Sequence, residues 1–580
     1  MDPAGQVRRV KVLSSGALRG RIERVESPRR LLVSETWGAP EGFINGLTFR
    51  RLGDPGPAGG PVEAYRPGPD GSIIELFAPV AGLRAGDPFE IDAHEQPPVL
   101  AARLATGTSA GRPLPPIRMR LATTRGTNAL LERQGAEVAL FITRGFRDLL
   151  AIGTQQRPDL FSLRIDRPEP LMRHVVEVTE RLSADGGVLV PLDLDQLARD
   201  ADRLLAQGVR IAAVALMHSW FQPAHEHAVA ALLRERGFDH VSCSAGLAPS
   251  INLLNRTQTA VVNAYLAPVL GEYLAGVSAA IAAAEAGGDQ RSLHVLTSSG
   301  GLVGVASFAP KDSLLSGPAG GVVGAAAAAR AVGLSPVITF DMGGTSTDVA
   351  RFDADHEYVF EHQVGPARIV APAVAVESVA AGGGSVCWFD AAAGVLRVGP
   401  RSAGASPGPA CYGAGGPLTV TDVNLLLGRL DAGRFEIPVD RAAAEARARE
   451  LATEVERSSG AAVDLEAMLE GLLEIADERM AEAIRAVSVR KGYDPAEHAL
   501  VAFGGAGGQH ACGVAERLGM ETVLIPRDVG LLSAVGVGLA LVERFAERQV
   551  LRSLEEFREE LPPLLENLCA EAAAAVAAEG

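Results

Sequence analysis

Residues 338–352 read ITFDMGGTSTDVARF: strand formers, an acid, two glycines, three hydroxyl residues, a second acid and a return to strand formers. The pattern predicts two strands joined by a tight turn, with Asp341 and Asp348 facing each other at its mouth. Gly343 and Gly344 are expected to take positive φ and to let backbone N–H groups approach a phosphate with no Cβ in the way. Thr345, Ser346 and Thr347 add hydroxyl donors. Asp341 and Asp348 are the candidate catalytic carboxylates. Asp341 is also the candidate ligand of a hydrated Mg2+, which prefers a few carboxylates and several waters. A plain β-hairpin is the competing reading, disfavoured because paired acids, glycines and hydroxyls rarely share one turn.

Working outward, two more glycine clusters stand beside helix signals. FGGAGGQH, residues 503–510, follows the strand-like HALVAF and precedes ACGVAERLG. Gly504, Gly505, Ala506 and Gly507 could pack flat against a planar ring or bring a phosphate to a helix N-terminus. Its spacing meets the dinucleotide fingerprint only loosely, and the acidic partner of such a site is absent from the expected place. LSGPAGG, residues 315–321, precedes an Ala-rich helix and can present N–H groups in the same way. Together the three clusters point to a nucleoside triphosphate held between lobes.

Composition limits the alternatives. The chain has 580 residues, 47% of them hydrophobic, enough for two to four domains. A net charge of -16 opposes nucleic acid or an anionic membrane as the main partner. Five scattered cysteines without a CxxC pair fit a reducing, cytoplasmic setting. No signal-peptide core is visible, and no run approaches the ~18 uncharged apolar residues of a membrane span. His510 and Cys512 sit beside the second cluster, but two residues so spaced converge poorly on one ion, so a structural role is expected. A catalytic thiol at Cys411 and a metal site at His225-Glu226-His227 are the weaker possibilities.

Short β-prone runs over residues 43–91 predict a small β-rich module, followed by a Pro-rich joint, GRPLPPIRM, at 111–119. Beyond it the pattern becomes layered α/β. EVALFIT reads as a buried strand, and DLDQLARDADRLLAQG, residues 193–208, as a capped helix followed by the strand RIAAVALM. Helical spacing of Met468, Leu472, Ile475, Met480, Ile484 and Val487 predicts a long helix capped by Asp464.

The order of these blocks carries a resemblance. TTRGTNALLERQGAEVALFITRGFRDLLAIGTQQRPDLF (123–161), LNRTQTAVVNAYLAPV (254–269), SSGGL with LLSGPAGGVVGA (298–325), FDMGGTSTDVA, AAGGGSVCWFD with VGPRSAGASPGPACYGAGGPLTVTDVNLLLGRL (380–430) and FGGAGGQHACGVAERLGM (503–520) resemble the hydantoinase A / 5-oxoprolinase family of the actin-like ATPase superfamily. The resemblance implies an α/β fold, a two-lobed actin-like ATPase with ribonuclease H-like lobes and a small β-rich N-terminal insertion. It implies a first-lobe remnant with the β-rich insertion at 1–115, first-lobe α/β structure at 116–235, the ATPase core with the second lobe at 236–545 and a shortened C-terminal segment at 546–580. The family opens with a D-x-G-G-T-x-T-D hairpin that residues 1–120 do not match, and its members continue further at the C-terminus. A chain lacking its first hairpin and most of its last domain is therefore expected.

The implied chemistry is ATP-dependent opening of a cyclic amide, 5-oxoproline to glutamate or a hydantoin, by phosphorylation of the lactam oxygen, with ATP and Mg2+ as cofactors. A B-type hydantoinase/oxoprolinase subunit is the implied partner, in a hetero- or homo-oligomer. The 341–348 turn would be the second phosphate loop, 504–508 would face the adenosine, and Gly382 and Gly383 would form a further nucleotide or substrate wall. Thr127, Asn128, Arg144 and Asp148 become substrate candidates able to grip a carboxylate and an imide edge. A non-catalytic nucleotide-binding subunit or decayed paralogue, and a subunit of an ATP-dependent ketone carboxylase, are the alternatives.

Overall fold

A computed structural model describes residues 7–13, 15–52, 59–69, 71–156, 168–282, 292–435 and 439–579. Residues 157–161, the end of the first matching block above, lie outside the described residues. The chain divides into two compact units, Met1–Leu121 with Pro268–His294, and Ala122–Ala267 with Val295–Gly580.

In the first unit, β1 (Ala17–Ser27), β2 (Arg30–Val33), β3 (Thr48–Arg51), β4 (Gly60–Gly68), β5 (Gly71–Leu76) and β6 (Pro88–Asp92) close into a barrel in the order β1-β2-β5-β4-β3-β6. Alternation of inward and outward side chains along β2 and β5 fills it with Leu31, Val33, Ile74 and Leu76, beside Phe43, Phe49, Tyr65 and Phe89. Helix α1 (Pro97–Thr106) adds Leu100 and Leu104 to the same core. The β-rich module thus starts at Ala17, earlier than residue 43. Conversely, FINGLTFRRL is a strand only at Thr48–Arg51, because Gly46 turns the chain at φ 82° and Phe43 and Ile44 reach the core from a turn.

In the second unit, α2 (Arg125–Leu131) precedes a parallel sheet of β7 (Val138–Thr143), β8 (His174–Val178), β9 (Ile211–Ala215) and β10 (His240–Cys243), ordered β10-β9-β7-β8. Every residue of β7 and β9 is buried, as their unbroken apolar runs require in a sheet covered on both faces. Helix α3 (Leu194–Ala206) is capped by Asp193, whose carboxylate accepts from the Gln196 N–H at 2.9 Å. Helix α4 (Ala224–Arg236) carries the candidate metal trio, which is spent elsewhere. Glu226 is fully buried and 3.6 Å from the buried Arg256, His225 Nδ1 lies 2.8 Å from Glu180, and His227 is exposed.

Helix α5 (Leu253–Ala282) corrects the expectation about apolar runs, since it is long and apolar enough by length and composition to cross a membrane. Half of its most apolar window is buried within the protein, and Arg256 on it is neutralised by Glu226. It reads as a core helix.

The remaining elements that position the site are α6 (Ser316–Ala331), β11 (Val337–Met342), β12 (Thr347–Asp353), β13 (Val376–Val379), α7 (Val420–Leu426), α8 (Leu465–Val487), β14 (Ala499–Phe503) and α9 (Gly507–Leu518). Strand β11 pairs antiparallel with β12 and parallel with β14, and β13 adds to the other edge of β12. Helix α8 begins at its Asp464 cap as expected and buries Met468, Leu472, Met480, Ile484 and Val487. Helices α6 and α9 both start inside their glycine clusters, earlier than the sequence suggests. All five cysteines are free thiols.

Candidate active site

The 341–348 stretch is a hairpin. Asp341 and Asp348 are direct cross-strand partners, as are Met342 and Thr347, and the turn closes with the Gly343 N–H donating to Ser346 O at 3.0 Å. Facing positions of an antiparallel pair put both carboxylates on one side of the sheet. Gly343 and Gly344 do not use positive φ, which corrects the conformational reason given for them. Gly344 and Thr345 are exposed at the tip, and Ser346 is half-buried. Thr347 is buried and donates its hydroxyl to Ala381 O at 2.5 Å, so it fastens the hairpin and is spent as a ligand donor.

The other glycine segments converge on this turn. Gly383 N–H donates to Gly343 O at 3.1 Å, and Gly384 N–H to Gly344 O at 2.6 Å. Gly382 lies so close that a Cβ there would come within 2.8 Å of the Gly344 and Thr345 carbonyl carbons and the Ser346 nitrogen. On the other side, β14 runs parallel to β11 with Phe503 opposite Asp341. The chain then turns at Gly504, φ 83°, where a Cβ would sit 2.6 Å from Asp341 Oδ1. Ala506 N–H donates to Met342 O at 3.1 Å, and α9 begins at Gly507. From α6, a Cβ on Gly321 would lie 3.2 Å from Asp341 Oδ2. Gly505 has open space where its Cβ would be. The 382–384 strip, the 504–507 turn and α6 therefore meet at one hairpin, the strip against its turn and Gly504 and Gly321 against the Asp341 carboxylate.

Electrostatics mark the same place. Burial, aided by the negative charge of Asp348, raises the Asp341 carboxyl to about 6. Burial also raises Asp348, partly offset by the Ser378 hydroxyl on β13, which donates to its Oδ1. Two half-buried acids side by side, both raised by burial, are relieved by a cation or by donors on a ligand. Asp341 and Asp348 are suited to hold a hydrated Mg2+, and the lack of a Cβ at Gly504 and Gly321 leaves room beside the two Asp341 oxygens.

The substrate candidates separate. Thr127 on α2 donates its hydroxyl to Leu314 O at 2.7 Å, and Ser316 Oγ donates to Thr123 O at 3.2 Å, which docks the TTRGTN turn against the start of α6. Thr127 is thereby committed to the fold. Asn128 is exposed on the same helix. Arg144 and Asp148 are exposed beyond the end of β7, where the Arg144 carbonyl accepts from Arg181 at 2.9 Å. Among the described residues, no hydrogen bond or ion pair joins Arg144 or Asp148 to Thr127 or Asn128.

Sequence reasoning missed Ser378, Thr421 and Asp422. Thr421 on α7 holds Gly383 O through its N–H at 2.7 Å and its hydroxyl at 2.8 Å. The buried Asp422 accepts from the N–H groups of Ala410, Cys411 and Thr419. The T-x-x-D spacing of Thr419 and Asp422 is a helix-start signal that could have located α7. Cys411 is buried, and burial beside Asp422 pushes its thiol far above the ordinary range, which disqualifies it as a nucleophile.

Fold and site together define a class, a mixed α/β protein of the actin-like ATPase kind, and comparison with known proteins agrees. The crystal structure of ATP-dependent caprolactamase from Pseudomonas jessenii superposes with a TM-score of 0.68 at 32% identity, covering 79% of this chain and 67% of that one. Nucleotide-free acetone carboxylase gives 0.61 at 25% identity, covering 78% and 66%. Residues 256–545 match the family Hydantoinase/oxoprolinase, and residues 109–237 match the Hydantoinase/oxoprolinase N-terminal region. The chain belongs to the hydantoinase/oxoprolinase family. 5-Oxoprolinase 1 of Arabidopsis thaliana is 38% identical over 520 residues, 81% of this chain and 40% of that one. The chain spans between 35% and 40% of the length of the 5-oxoprolinases it matches.

Proposed function

We propose that this chain is the ATP-using part of an enzyme that opens a cyclic amide, with 5-oxoproline or a hydantoin as substrate class. The observation that carries the reading is the convergence of three glycine-rich segments on the Asp341–Asp348 hairpin, with Asp341 raised to about 6. An unstrained lactam is a poor electrophile. Transfer of the γ-phosphoryl group to its oxygen releases ADP and makes the ring carbon open to water. Water adds to that carbon, the ring C–N bond breaks with the nitrogen taking up a proton, and a second water hydrolyses the acyl phosphate so formed to the carboxylate and free phosphate. Catalysis of such a transfer is mostly positioning and charge neutralisation.

In this reading the exposed turn, Gly343 to Ser346, offers backbone and hydroxyl donors to the phosphates. Gly504 to Gly507 bring the start of α9 against the nucleotide, and the N–H groups there favour an anion. Asp341 and Asp348 hold Mg2+, which supplies positive charge against the phosphate oxygens when bound. Asp348, steadied by Ser378, also orients the attacking group. Asn128, Arg144 and Asp148 remain the substrate candidates, and a B-type subunit is the inferred partner, because one relative matched is named as a caprolactamase subunit alpha. Five unpaired thiols support a reducing, cytoplasmic setting.

The test is ADP release by the purified chain with Mg2+ and a panel of 5-oxoproline, hydantoin and caprolactam, with and without a B-type subunit. Stimulation of at least about tenfold by one of them, abolished in Asp348→Asn, is expected. The likeness to acetone carboxylase keeps one alternative specific, and ADP release that needs bicarbonate and a ketone, with no response to any cyclic amide, would replace this reading with it.

A further inference from the structure

His510 is fully buried on α9, and its ring joins two other helices. Its Nδ1 lies 2.6 Å from Asp477 Oδ1 on α8, and its Nε2 lies 3.0 Å from Asn424 Nδ2 on α7. The Asn424 amide donates to Nε2, so Nδ1 carries the proton and donates to Asp477. Space for that carboxylate is cut into α9 itself, because a Cβ on Gly513 would collide with Asp477 Oδ2. Asp477 and Asn424 are themselves buried.

Each helix that His510 ties together also holds one of the segments around the phosphate turn, or braces a helix that does. From α7, Thr421 grips Gly383 O twice, and the Gly383 N–H in turn donates to Gly343 O. From α9, the preceding Ala506 N–H donates to Met342 O, and Gly504 abuts Asp341. The connections close on themselves: hairpin, glycine strip, α7, His510, α9 and back to the hairpin. Asp477 braces that closure from α8.

We infer that His510, with Asp477 and Asn424, is a positioning residue that holds the 382–384 strip and the 504–507 turn at a fixed separation on either side of the Gly343–Ser346 turn. This rests on reading that turn as the phosphate site, but the coupling exists in the unliganded chain and is measurable there. A closed ring of short hydrogen bonds loosens as a unit when one strut is cut, whereas ordinary core packing relaxes locally. Neither Asn424 nor His510 is placed to touch the nucleotide.

Two struts are cut separately in the full chain. Asn424→Ala removes the donor to His510, and Thr421→Val removes a half-buried hydroxyl while keeping shape and backbone, so at least the second is expected to fold. Amide exchange of the unliganded protein is followed by mass spectrometry in peptides spanning 340–347 and 381–386. Exchange at least about threefold faster in both peptides is expected for each folded variant, with Cys512→Ser, exposed on α9, unchanged. Where ATP turnover is present, KM for ATP rises at least about fivefold while kcat stays within about twofold. Exchange at the wild-type rate in either peptide of a folded variant overturns the ring. Wild-type protein that turns over no ATP counts against the proposed function alone, since the exchange comparison still decides the inference.

Discussion

Asp341 carries opposite demands for stability and function. Its carboxyl is raised to about 6 in the folded chain, against an ordinary Asp value of 3.8. The native state therefore binds this proton more tightly than the unfolded state. The stabilisation is complete below pH ~4 and is lost as pH rises through about 6. At pH 8 the ionised pair costs up to about 3 kcal/mol, by the conversion of two pKa units. Asp341→Asn is expected to raise the urea midpoint at pH 8, to leave it unchanged at pH 4, and to abolish ATP turnover. An unchanged midpoint at pH 8 would refute the cost of holding a buried charge at Asp341, of which burial is the larger part and the Asp348 charge the smaller. Glu226 shows the reverse case, since Glu226→Gln leaves the buried Arg256 uncompensated. It should destabilise by roughly 3–5 kcal/mol in the same assay, while the exposed His227→Ala should change little. The facing of the two acids across the hairpin was legible because it is set locally, by strand, acid, glycine, acid. The pairing of Glu226 with Arg256 was not legible, because it joins two helices and nothing in His-Glu-His announces a distant arginine.

At the scale of elements, the hairpin and the helix capped by Asp464 could be read from the chain, since both are set by short-range pattern. The docking of the 382–384 strip could not, because it depends on where β13 leaves the chain after pairing with β12. Glycine was expected to matter in the 341–348 turn for its φ, yet Gly343 and Gly344 keep ordinary φ, and the demand for glycine falls on Gly382 and Gly504 instead. This gives a paired prediction. Gly382→Ala drives a methyl into three backbone atoms of the turn and is expected to lower both the melting midpoint and ATP affinity. Gly505→Ala meets open space in the unliganded chain, so it should leave the midpoint unchanged and weaken ATP binding at least about fivefold if the nucleotide lies against it. Isothermal titration with a non-hydrolysable ATP analogue, beside thermal melts, separates the two. Gly505→Ala with wild-type affinity would remove the 504–507 turn from the nucleotide site.

Across the whole molecule, the β-rich character of the N-terminal region was legible, but its closure into a barrel was not. Closure pairs β1 with β6, strands at opposite ends of the module, and short-range alternation contains no information about such a pairing. The barrel has its own core, including Leu31, Phe49, Tyr65, Ile74 and Phe89, and none of the residues assigned to phosphate or nucleotide belongs to it. Every one of those residues, from Asp341 to Gly507, lies in the larger compact unit. A ligand stabilises the state it binds by an amount set by its concentration over Kd, about 2.7 kcal/mol at a hundredfold excess. That stabilisation should therefore appear first in the amides of β11, β12, β14 and the start of α9. Amide exchange with and without ATP and Mg2+ is expected to slow at least about tenfold in peptides spanning 338–352 and 499–510, and to change less than about twofold in peptides of β1 to β6. Asp348→Asn should erase the difference. Protection that appears in the barrel strands and not around the hairpin would move the nucleotide site to the smaller unit and leave the hairpin a structural turn.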